Sequence, residues 1–166
     1  MRAPLAAALA LTGAVTGAAA QACPLTLALY ADPDSTVELR FHAAQSWESS
    51  GSVTHVMELG LSDGRVLWGR ITSNQGTSRD MGHLYFGCDA PSPDGEPEAD
   101  VLADCLAWEG VVYALDQGRI APMPDAGAKA PPALVLADLG RQLRYSVMEG
   151  GEAPLWDQLD LSGCAE

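Results

Sequence analysis

Two apolar-rich runs, Val53 to Leu61 and Arg65 to Thr72, flank the dipeptide Asp63-Gly64, and no other feature constrains the fold of this chain as tightly. Asp-Gly tolerates the positive φ of a tight turn, so the runs read as antiparallel strands joined by a two-residue hairpin loop. Ser62 then faces Arg65, and stepping outward pairs Leu61 with Val66, Leu59 with Trp68, Met57 with Arg70 and His55 with Thr72. Side chains alternate along a strand, so these four pairs share one face. That face is apolar near the turn and carries His55, Arg70 and Thr72 at its far end.

The neighbouring segments follow the same pattern. Val37, Leu39 and Phe41 alternate with Glu38, Arg40 and His42, the period of a half-buried strand. Further strands are expected through His83 to Phe86 and Val111 to Leu115, and Gln117-Gly118 before Ile120 suggests a second hairpin. Residues 89–100, with three prolines and five carboxylates, form a loop, and residues 122–132 form a Pro/Ala linker. Pro132 is expected to open a helix from Ala133 to about Met148. Leu136, Leu139, Leu143 and Val147 recur there at helical spacing, and Arg141 and Arg144 suit the later half of such a helix. Trp47, Trp68, Trp108 and Trp156 are expected to anchor the core. The expected architecture is α+β: mainly antiparallel sheet, as an open sheet or partial barrel, with at least one packed helix near the C-terminus.

The start of the chain, MRAPLAAALALTGAVTGAAAQAC, has one charge at Arg2, an apolar run and small residues ending in A-x-A sites at Ala20 and Ala22. That order is a cleaved secretory signal, 1–22, followed by a single domain, 23–166. The apolar run is too short to span a bilayer, and no later stretch is long and apolar enough. Export to the periplasm or cell exterior follows, and there the four cysteines are expected as disulfides. Cys88 with Cys105 would tether the acidic loop, and Cys23 with Cys164 would join the ends of the domain. Lipidation of Cys23 is the lesser alternative: Ala20 stands where leucine is usual, and it would leave an odd thiol.

Charge narrows the partners. The chain carries a formal −13, and losing Arg2 makes the mature domain more acidic. Binding nucleic acid requires clustered Lys and Arg, and here Lys129 is the only lysine and the arginines are scattered. Expected partners are a small anion, a sugar or an envelope protein. No cofactor is expected, nor a metal, since His42, His55 and His83 lack paired-ligand spacing and the acidic loop departs from the calcium-loop pattern. Gly60-Leu61-Ser62-Asp63-Gly64 matches G-x-S-x-G, but a strand follows it where a nucleophile elbow needs a helix.

The polar end of the hairpin and the loop behind it form the candidate ligand site. His55, Arg70 and Thr72 lead into Asn74, Ser78 and Arg79, and the chain returns through His83. Polar loops on rigid strands often carry function. The expected role is a non-enzymatic binding or interaction module. The alternative is a small hydrolase assembled around residues 73–83, which would need a hydroxyl or water within hydrogen-bond reach of a histidine whose ring a carboxylate orients.

Overall fold

A computed structural model describes residues 23–34, 36–74, 76, 79–148 and 156–165. The signal-like stretch 1–22 and Ser78 lie outside the described residues. Among the described residues nine strands form one antiparallel sheet: β1 (Ala28–Ala31), β2 (Val37–His42), β3 (Val53–Leu61), β4 (Val66–Thr72), β5 (Met81–Tyr85), β6 (Leu106–Asp116), β7 (Arg119–Ala121), β8 (Ala133–Leu136) and β9 (Gln158–Cys164). Their order is β5-β4-β3-β2-β1-β9-β8-β6-β7, and β5 also pairs with β6. That last pairing closes eight strands into a barrel and leaves β7 as an extra strand on β6.

The expected α+β architecture is therefore wrong: the protein is a closed, mostly β barrel. The helix expected from Ala133 to Met148 is the source of the error. Ala133–Leu136 is strand β8, hydrogen-bonded to β6 and β9. Only α2 (Leu139–Arg144) is helical, and Asp138 before it has a left-handed φ of 63°. Leu134 and Leu136 point inward at strand spacing, whereas Leu139 and Leu143 enter the core at helical spacing. One leucine-rich stripe thus serves two elements, and single-sequence periodicity cannot divide it. The other helix, α1 (Ala99–Asp104), buries no residue. β9 seals the barrel between β1 and β8.

The central hairpin forms with a different register. Leu61 N–H donates to Arg65 O at 2.8 Å, so the loop has three residues, Ser62, Asp63 and Gly64. Gly64 takes φ +88°, the left-handed position of such a loop. Asp63 accepts from the Arg65 backbone N–H and from its Nε, and hydrogen bonding to that arginine holds the Asp63 carboxyl below its ordinary range. Gly60 faces Val66, Glu58 faces Trp68 and Val56 faces Arg70. A slip of one residue turns a whole strand over. His55 consequently points into the barrel with Met57 and Leu59, while Trp68, Arg70 and Thr72 point out.

The barrel interior is filled by side chains, among them Tyr30, Leu39, Met57, Leu67, Leu84 and Trp108, all fully buried. Burying an apolar side chain of this size contributes roughly 1.5–3 kcal/mol. Trp108 fits because Gly82 and Gly110 face each other on β5 and β6. A Cβ at either glycine would lie 2.6 Å from the indole. Of the four tryptophans expected in the core, only Trp108 is there; Trp47 and Trp156 are exposed and Trp68 lines the outer wall.

Side chains and straps finish the ends. Buried Asp32 holds the β1–β2 turn, accepting from Thr36 N–H, Thr36 Oγ1 and Val37 N–H at 2.6–3.0 Å. A 3-10 turn, Leu25–Leu27, and the 122–132 strap are stitched together by Leu25 N–H to Ala128 O, Thr26 N–H to Ala126 O and Ala130 N–H to Cys23 O. The cysteines pair as Cys23–Cys164 and Cys88–Cys105, the pairing expected from sequence. With its sulfur in that bond, Cys23 has none left for a lipid thioether. Among the described residues no helix is long and apolar enough to cross a membrane.

Candidate functional site on the outer wall

Strand register arranges the polar side chains in rows across the barrel's outer surface. Val56, Arg70, His83 and Glu109 are successive cross-strand neighbours on β3 to β6. Beside them Glu58, Trp68 and Tyr85 form a second row. Of the residues proposed from sequence, Arg70, Thr72 and His83 share this wall. Thr72 Oγ1 donates to Met81 O at 3.3 Å. Asn74 Nδ2 donates to Arg79 O at 2.8 Å within the β4–β5 loop, and the Arg79 guanidinium lies 5.9 Å from the Tyr113 ring. His55 is not part of this group, because it is on the inner face.

The disulfide-closed loop 88–105 lies against this wall. Trp68 Nε1–H donates to Cys88 O at 3.0 Å, and the indole stacks on Tyr85 with ring centroids 4.3 Å apart. Farther along the loop, Glu96 forms an ion pair with Arg70 and accepts from Ser50 Oγ at 3.4 Å. Between wall and loop is a shallow cleft of about 50 Å³, lined by His42, Glu48, Glu58, Trp68, Arg70 and Pro91 among others. Sequence reasoning missed Glu58, Trp68, Tyr85 and Glu96. The alternation of β4 carries a signal for Trp68 beside Arg70 and Thr72, once the loop is given three residues. Nothing in the sequence pairs Glu96 with Arg70.

Burial and neighbours set the charges here. Burial disfavours the Arg70 cation, but its hydrogen bond to Glu96 and the neighbouring Tyr85 outweigh that and raise its pKa above the ordinary value. Burial lowers the pKa of His83; Glu109, 3.3 Å from Nε2, opposes this shift and Arg70 adds to it. His83 Nε2 faces the Glu109 carboxylate, while Nδ1 is buried without a hydrogen-bond partner.

His55 is arranged differently. Its Nε2 lies 2.9 Å from Pro124 O, a group that only accepts, so Nε2 carries the proton. Nδ1 accepts from Thr54 Oγ1 at 2.8 Å. Burial is the main cause of its lowered pKa, partly offset by the Pro124 carbonyl. The two histidines therefore divide the parts of a hydrolytic site: His55 has a hydroxyl and a carbonyl, His83 a carboxylate. Among the described residues no three His, Cys, Asp or Glu side chains converge as metal ligands.

Fold and wall together define a small, disulfide-tied antiparallel barrel with a filled interior and a polar, aromatic outer surface. No known protein family, curated protein or solved structure matches the chain.

Proposed function

We propose that this chain is an exported binding module that recognises a neutral, hydroxyl-rich group, a sugar unit, in the cleft between the β3–β4 wall and the 88–105 loop. The observation that carries this reading is the placement of Trp68. Its indole is tied to Cys88 O, stacked on Tyr85, and set between Glu58 and Arg70 along the cleft. Among the described residues the barrel interior is filled by side chains, unlike barrels that hold a ligand within. The cleft carries carboxylates at Glu48 and Glu58 and a guanidinium at Arg70. A small ion of either sign meets like charge there, whereas hydroxyls donate to the carboxylates and accept from the guanidinium. An indole held at two points loses little freedom when a ligand stacks on it.

The cleft is shallow, so the expected affinity is weak, with Kd about 1 mM. The hydrolase alternative is weakened by the split between His55 and His83. Export is supported by the two disulfides, which persist outside reducing compartments; N-terminal sequencing of the secreted protein should begin after Ala20 or Ala22. Binding is tested by NMR titration of the oxidised protein with a panel of mono- and oligosaccharides. At least one should shift the Trp68 indole resonance, Trp68→Ala should abolish that binding, and Glu58→Gln should weaken it several-fold. No saccharide shifting that resonance at tens of millimolar sinks the proposal, and a simple anion displacing Glu96 from Arg70 replaces it with an anion site.

A further inference from the structure

A second cleft, of about 320 Å³ and mostly apolar among the described residues, lies elsewhere, between the β6–β7 hairpin and the 122–132 strap. Four prolines, Pro122, Pro124, Pro131 and Pro132, and three alanines, Ala114, Ala121 and Ala130, form most of its wall. Proline and alanine have almost no side-chain freedom to lose, so the walls need no ordering when a ligand arrives. The strap is also held in place: Tyr30 Oη donates to Pro131 O at 3.0 Å, His55 Nε2 to Pro124 O at 2.9 Å, and Ala130 N–H to Cys23 O at 2.8 Å. The cleft is a fixed part of the fold.

Its polar lining is sparse. Lys129, the only lysine of the chain, and Asp116 are the charged residues that line it. Asp116 faces Arg119 across the hairpin, so that carboxylate has a cation as its nearest cross-strand neighbour. Lys129 makes no ion pair among the described residues, although the chain holds 22 Asp and Glu. Its backbone is placed by a bridge to Pro24. A fixed, mostly apolar cleft of a few hundred Å³, lined by one lysine and by one carboxylate that faces Arg119, has the anatomy of a small-molecule site.

We infer that this cleft binds a small carboxylic acid with an apolar body, the body packed against the prolines and the carboxylate paired with Lys129. The site is separate from the outer wall and does not depend on the sugar reading. Octanoate and octanol, which share a chain and differ in charge, test it by amide-resolved NMR titration of the mature oxidised protein. Octanoate should shift the Ala121 and Lys129 resonances and saturate. Octanol should bind about tenfold more weakly. Lys129→Met should lose about tenfold in octanoate affinity, and Lys129→Arg should keep it. Ala121→Phe should fill the cleft and abolish the shifts; if that variant fails to fold, the two lysine variants decide alone. Equal binding of octanol, undiminished binding by Lys129→Met, or shifts confined to other surfaces would each overturn the inference.

Discussion

Arg70 of β4 is ion-paired with Glu96, 26 residues further along the chain, and the contact fixes the middle of the disulfide-closed loop against the barrel wall. It also bears on the ligand site, because the guanidinium that lines the cleft is already neutralised by the chain itself. Arg70→Ala should therefore loosen the loop more than it weakens the barrel. A partly exposed pair is worth about 1 kcal/mol or less, so the urea midpoint should fall slightly. Amide exchange should accelerate across residues 89–104 and stay unchanged in β1, β2 and β9. Uniformly faster exchange would mean that Arg70 supports the barrel as a whole.

Removing the Cys88–Cys105 bridge acts on the same loop through the unfolded state. The bridged residues are 17 apart, and freeing a loop of that size should cost about 3 kcal/mol by the chain-entropy argument. The double variant Cys88→Ser, Cys105→Ser should show that loss in urea denaturation, with the Trp68 indole resonance displaced. Non-reducing peptide mapping of the native protein should recover only the 23–164 and 88–105 pairs.

Acid should destabilise the fold through its histidines. His55 and His83 both have pKa values lowered by burial, so the unfolded chain, with histidines near 6.5, takes up protons first as pH falls. Stability is complete above that value and declines as pH drops from about 6.5 toward the folded-state pKa values. Urea midpoints should be flat above about pH 7 and fall as pH drops below about 6.5. His55→Gln with His83→Gln should flatten that segment of the curve.

The space beneath Trp108 makes a sharper test of packing. Gly82→Ala and Gly110→Ala each place a methyl 2.6 Å from the indole. Overpacking of this kind costs about 1–3 kcal/mol. Gly127→Ala, whose added Cβ would meet nothing within 4 Å and whose φ, like theirs, is not positive, serves as a control. Equal losses in all three variants would show that the Trp108 contact is not what matters.

Local chemistry determined much of this protein before any tertiary contact is considered. Alternation in Val37 to His42, the turn residues Asp63-Gly64 and Gln117-Gly118, and an even set of four cysteines lead to strands, hairpins and two disulfides, because each depends on neighbours in the chain or on parity. Tertiary structure decided the rest. Adding Ser62 to the hairpin loop shifted the register by one and sent His55 inward and Trp68 outward. Closure rests on β5 with β6 and β1 with β9, and the latter pair joins strands from opposite ends of the chain. Ala133–Leu136 became a strand because β6 and β9 stood ready to pair on both its edges. Those edges exist only in the assembled barrel, so the leucine stripe alone fits helix and strand equally, and nothing local places Glu96 on Arg70.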